Sequence, residues 1–114
     1  MANIIKESGF NSIDKINMVS IPMDIKKKVN EQLVVVGACI YEKPDKETGE
    51  VVRVGAVRTV DGDIYGFTSN TLQDCTDALI DIFIDGATSI TIQPISGQSN
   101  AGRTFYQFKV LAVD

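Results

Sequence analysis

The sequence predicts an all-β domain with one helix, a small barrel whose end the helix covers, and three observations predict it. The first is a hairpin: Val51, Val52, Val54, Val57 and Val60 form a β-branched run, Asp61-Gly62-Asp63 turns the chain, and Ile64, Tyr65, Gly66, Phe67 and Thr68 run back. An Asp-Gly pair between two apolar runs is a strong turn signal, because Gly accepts the positive φ a tight turn needs. The second is a change of period from about 2 to about 3.6 residues after Thr68. Leu72, Cys75, Ala78, Leu79, Ile82 and Phe83 then share one helical stripe, with Asp74, Asp77 and Asp81 away from it. The third is the return of alternation beyond Gly86, in residues 90–94 and 103–113.

Taken in order, residues 1–12 are polar with isolated apolar side chains and are expected to form a mobile arm. Residues 15–21 alternate weakly and predict a short extra N-terminal strand, ended by Pro22. The triplet Lys26-Lys27-Lys28 is either solvated surface or a patch that steers a polyanion. Residues 33–43 predict a long central strand, and Gly37 within it marks a bulge or a sharp bend. A charged loop over 42–50, with Pro44 and Gly49, leads to strands at 51–60 and 63–68.

The helix over 71–85 has Thr71 and Asp74 at capping-box spacing and is stopped by Gly86. Ile90, Ile92 and Pro94 predict a strand ending at a sheet edge, since Pro has no N–H for the ladder. Residues 96–102 read as a flexible loop. In the last strand Thr104, Tyr106, Phe108, Val110 and Ala112 form the expected core face, opposite Arg103, Phe105, Gln107, Lys109 and Leu111. Three antiparallel strands, a helix and two more strands is the element order of the OB-fold, a five-stranded Greek-key barrel. Leu72, Leu79 and Phe83 are then its plug. An SH3-like barrel or a small sandwich is the structural alternative.

At 114 residues with 44% hydrophobic content, residues 1–114 suffice for one domain with a real core. No apolar run reaches the roughly 18 residues of a membrane span, and the N-terminus lacks a signal-peptide layout, so a cytoplasmic protein without membrane partners is expected. Cys39 and Cys75 fall in a strand and on the helix stripe, where thiols act as small apolar residues. Histidine is absent, and no carboxylate cluster, phosphate loop or nucleophile elbow occurs. No metal, cofactor or catalytic residue is therefore expected, and an enzyme is disfavoured. The net charge of −4 belongs to one element: of 15 acidic residues Asp74, Asp77, Asp81 and Asp85 lie on the helix segment, which leaves 11 against 11 basic. Such a distribution leaves room for a basic groove elsewhere.

OB-folds bind oligonucleotides or oligosaccharides on strands 2 and 3, between the first-to-second and fourth-to-fifth strand loops. Sequence-independent binding of single strands needs aromatic platforms and cations that follow the phosphates. The aromatic candidates are Tyr41, Tyr65, Phe67 and Phe105; the cations near them are Arg53, Arg58, Arg103, Lys43, Lys46 and Lys109. Each ring has a competing role in the core. Tyr106 is assigned to the core, Phe67 and Tyr41 fit either place, and Tyr65 leans to the surface beside its turn. Phe105 discriminates best, because a core role conflicts with the alternation of its strand.

Ala38-Cys39-Ile40-Tyr41, the charged loop, the run to Val60-Asp61-Gly62, Ile64-Tyr65, Ala78-Leu79-Ile80-Asp81 and the Gly-Ser-Asn loop before Arg103-Thr104-Phe105-Tyr106 carry a resemblance. Over residues 33–113 the pattern resembles the single-stranded DNA-binding proteins of small tailed phages with protein-primed replication. The resemblance implies non-enzymatic, cooperative coating of displaced strands in the host cytoplasm, with single-stranded DNA, further copies of the chain and replication proteins as partners. It also implies stacking by Tyr41 and Tyr65. The family's tyrosine in the charged loop has no counterpart between Glu42 and Glu50, a gap that phosphate contacts from Lys26, Lys27 and Lys28 could offset. The competing expectation is a structural or assembly barrel of a virion or tail that binds no nucleic acid, to which Val19, Ile21 and Leu111 would contribute apolar surface.

Overall fold

The structure is a computed structural model that describes residues 3–20 and 22–114. The valine-rich runs form β3 (Leu33–Pro44) and β4 (Val51–Thr59), and the chain returns in β5 (Ile64–Phe67), giving the expected antiparallel meander. Gly62 has φ +90° at the turn, where the Thr59 N–H donates to the Asp63 carbonyl at 2.9 Å. The expected bulge is present: the β3–β4 register shifts between Val35 and Gly37.

Helix α2 (Asn70–Ile84) follows, but its cap and its buried face differ from the sequence reading. The Ser69 hydroxyl, not a Thr71–Asp74 box, accepts the Leu72 N–H. Leu72, Leu79 and Phe83 are buried as expected, while Ala78 is exposed and Gln73, Thr76 and Ile80 take the inward positions. Polar residues can face inward because they find partners there. Thr76 Oγ1 donates to the Leu72 carbonyl at 2.7 Å, and Gln73 Nε2 donates to the carbonyls of Arg53 (3.0 Å) and Thr68 (2.8 Å).

The N-terminal third corrects the sequence reading most. Where a mobile arm is expected, β1 (Asn3–Ser8) pairs antiparallel with β3. Where a strand over 15–21 is expected, α1 (Ser12–Ser20) forms, so there are two α-helices among the described residues; Ile21 lies outside them. The signal is a reciprocal cap. The Asp14 N–H donates to Asn11 Oδ1 (2.8 Å) and the Asn11 N–H to Asp14 Oδ2 (3.0 Å), which closes the first turn of a helix from both ends. Asp14 and Met18 face inward one turn apart. The short β2 (Met23–Asp24) runs parallel to β5, and a 3₁₀ turn (Ile25–Lys28) follows.

Strands β6 (Ile90–Gln98) and β7 (Thr104–Val113) form a long hairpin, so the loop expected over 96–102 shrinks to a turn after Gln98. β6 meets β3 only through Ile90, Thr91 and Ile92, which leaves Pro94 beyond the pairing with β3, as its missing N–H permits. A register shift between Thr91 and Ile92 breaks the alternation of β7. Phe108 is buried and Tyr106 half-buried, but Val110 and Ala112, expected in the core, are exposed.

The order β2-β5-β4-β3-β6-β7, with β1 also on β3, makes one curled, mixed seven-stranded sheet, a half-barrel. It is compatible with a barrel-like fold, but it has seven strands where the sequence reading has five with a possible sixth, and among the described residues β5 and β7 do not pair. Its inner face, with Ala38, Ile40, Val57, Tyr65 and Phe67, packs on α2. Its outer face, with Cys39, Tyr41, Val54, Ala56 and Ile64, packs with Met18 of α1 and Phe10.

The backbone of β1 comes so close to β3 that a Cβ on Gly37 would lie 2.8 Å from the Gly9 carbonyl oxygen and 3.0 Å from that of Ser8. Backbone on both sides leaves no side chain to give way. Gly37→Ala is therefore expected to destabilise the fold by about 1–3 kcal/mol, measured by urea unfolding; an unchanged midpoint would show that β1 does not dock at the bulge.

Candidate functional site

The unclosed side of the half-barrel is an open groove of about 760 Å³ between β5 and the β6–β7 hairpin. Its floor is given by Tyr41, Val54, Phe67 and Leu72, and one wall by Arg103, Thr104, Phe105 and Tyr106. The segment from Pro22 to Lys26 lies at the opposite side. Among the described residues, the charged groups bordering it are Lys26, Lys43 and Arg103 against the single carboxylate of Asp24.

Five of the ten residues singled out in the sequence thus border the groove: Tyr41, Lys43, Phe67, Arg103 and Phe105. Their accessibilities differ. Tyr41 is 1% exposed and its hydroxyl donates to the Met18 carbonyl at 3.2 Å, so its ring is a wall of the second core and not a free stacking surface. Phe67 is buried with its ring at 5.5 Å and 76° to that of Phe108, an edge-to-face pair that holds both. Phe105 is 36% exposed and leans on Gly97 across the hairpin, where a Cβ would lie 2.7 Å from its Cζ. It alone of the four aromatic candidates offers a substantially open ring.

The other five lie elsewhere. Tyr65, expected near the surface, is 2% exposed in the inner core. Arg53 sits with Asn70, Gln73, Asp74 and Asp77 at the acidic helix. Arg58 faces α1, its Nε 3.2 Å from Asp14 Oδ1; this is a charge contact, because the N–H is not aimed at the oxygen. Lys46, in the β3–β4 turn, and Lys109, on β7, are exposed but do not border the groove.

Two bordering residues were read otherwise from the sequence. Tyr106, assigned there to the core, is half-buried against it and also borders the groove. Lys26 comes from the lysine triplet, and its Nζ stands 5.3 Å from the centroid of the Tyr106 ring. The signal for Lys26 was the triplet itself; nothing local in sequence foretells a contact across 80 positions.

Burial raises the pKa of both Tyr41 and Tyr65 above the ordinary tyrosine value, and the Cys39 thiol is pushed up to about 12 by burial and then by the nearby Glu7 charge. A raised folded-state pKa means that the unfolded chain loses its protons first. Stability is then full below the unfolded values, 9.0 for the thiol and 10.0 for tyrosine, and falls as pH rises above them. Compared with known proteins, the chain matches no family model, no curated protein and no solved structure.

Tyr41→Phe is expected to cost about 1 kcal/mol at neutral pH through loss of the bond to Met18. Its loss of stability above pH 10.0 should be shallower than that of the parent chain, read from denaturant unfolding along a pH series. Equal slopes would mean that the Tyr41 hydroxyl is solvated in the folded protein.

Proposed function

We propose that the half-barrel is an open OB-fold and that the protein binds single-stranded DNA without sequence preference. The strand–helix–hairpin order and the pairing of β6 back onto β3 support the fold reading, since a Greek-key barrel requires that return. The observation that carries the functional reading is the groove. On a chain of net charge −4, three cations and one carboxylate border a cleft flanked by the β6–β7 turn and a partly open aromatic ring. A cationic track beside a stacking surface suits a flexible polyanion whose bases are unpaired, and a duplex offers no such base faces. Together with the sequence resemblance, this favours a non-enzymatic coat on displaced strands during phage DNA replication, in the cytoplasm of the host. No helix among the described residues is long and apolar enough to cross a membrane.

A second reading, an assembly barrel, is favoured by specific surfaces. Ile13, Ile16 and Val19 are exposed on α1, and Val110, Leu111 and Val113 on the edge strand β7. Gel filtration separates the two: an assembly protein oligomerises alone and ignores oligonucleotide.

Labelled oligo-dT is expected to bind, and duplex of equal length to bind far less. With three phosphate contacts the logarithm of affinity should fall against that of salt with a slope of roughly −2. Phe105→Ala should weaken binding by about 1–3 kcal/mol, roughly 5- to 150-fold, with the thermal midpoint held. Absence of oligo-dT binding at low salt would overturn the reading.

A further inference from the structure

Lys26 and Tyr106 meet across the mouth of the groove, from opposite sides of the unclosed barrel. Lys26 is carried by the segment that covers the edge of β5. Met23 and Asp24 pair with Tyr65 and Gly66, Ile25 is 2% exposed in the core, and Asp24 Oδ1 accepts the Lys26 N–H at 3.0 Å. The backbone at Lys26 is thereby fixed, and its exposed side chain reaches over to β7. At 5.3 Å from the ring centroid, the ammonium lies within the range of a cation–π contact. Tyr106 is half-buried against the inner core and borders the groove, so the ring face under Lys26 is a surface that a ligand in the groove could use.

We infer that Lys26 and Tyr106 form a latch that a single strand opens: a base takes the place of the ammonium on the Tyr106 ring, and the freed ammonium moves to a phosphate. The inference rests on the reading of the groove as a single-strand site and adds a stacking residue and a binding step to it. An exposed cation–π contact is weaker than a base–aromatic stack, so the exchange favours the bound state once a phosphate is there to receive the cation. Without a strand, the same contact covers the one tyrosine ring that reaches the groove without being fully buried, since Tyr41 and Tyr65 are 1% and 2% exposed.

The test compares the parent chain, Lys26→Gln and Lys43→Gln in binding to labelled oligo-dT across a salt series, with acrylamide quenching of tyrosine emission in the free proteins. Each variant should have a salt slope shallower by roughly 0.7. The Lys26→Gln line should also cross that of the parent, weaker at low salt and tighter at high salt, because no latch has to open. Lys43→Gln, which covers no ring, should converge with the parent without crossing. In free Lys26→Gln, acrylamide should quench tyrosine emission more strongly than in the parent, and Tyr106→Leu should abolish that gain. Salt lines for Lys26→Gln and the parent that do not cross, or unchanged quenching, would overturn the latch while leaving single-strand binding in place. A parent chain that binds no oligo-dT at any salt would overturn the functional reading and the latch with it.

Discussion

Strand β3 is the constraint on which the rest of the structure depends, because it is buried on both faces and paired along both edges. Ala38 and Ile40 point into the inner core and Cys39 and Tyr41 into the outer one, each at 0% or 1% exposure. One edge is taken by β4 along most of its length. The other is shared: β6 pairs with Leu33, Val34 and Val35, and β1 with residues from Ala38 to Glu42. Buried backbone groups must find partners, so a strand this enclosed requires both neighbours. Gly37 lies where the edge passes from one to the other, and the close approach of Gly9 there explains why both positions are glycine.

The groove follows from where β6 leaves β3. β6 runs antiparallel past the start of β3, so beyond Ile92, which lies opposite Leu33, no more of β3 is there to pair with it, and the β6–β7 hairpin continues away from the sheet. β7 therefore does not reach β5, whose edge is covered at Tyr65 and Gly66 by the two residues of β2. A closed barrel would have filled this side with a ladder of hydrogen bonds. The open one leaves a cleft lined by residues of β2, β3, β4, β5, α2 and β7, and the segment from Pro22 to Lys26 takes part in both the covering of β5 and the lining of the cleft.

The same enclosure explains what the sequence does and does not make legible. The β3–β4–β5 meander, the bulge at Gly37 and the existence of α2 are local, set by β-branched runs, a Gly in a positive-φ turn and a change of period. Which way Tyr41 and Tyr65 face is not local. A strand buried on both sides shows no alternation between apolar and polar residues, so a tyrosine in it can be given to either face, and here both faces are core. The sequence reads α1 as a strand because its isoleucines point outward, which leaves Asp14 and Met18 as the inward pair and mimics a weak strand period. The three-residue spacing of Asn11 and Asp14 is the local signal of the helix. In the groove, Lys43, Arg103 and Phe105 were legible since they flank the loops that frame such a site, whereas Tyr106 and Lys26 are joined only by the tertiary fold.

Charge placement settles why an acidic protein can present a cationic cleft. The acidic face of α2 draws basic groups to itself: Lys6 reaches from β1 to Asp77 at 2.9 Å and also pairs with Asp81, and Arg53 stands beside Asp74 and Asp77. Asp14 engages Arg58, and Glu7 engages Lys15 at 3.0 Å, both beneath α1. Lys26, Lys43 and Arg103 have no such ion pair among the described residues, and they border the groove. Screening over about 8 Å at physiological ionic strength confines the influence of each charge to its neighbourhood. A polyanion in the cleft would therefore respond to those three cations and Asp24 more than to the net charge. For the proposed single strand, that local field favours entry from the open side of the barrel, where Phe105 and Tyr106 border the cleft.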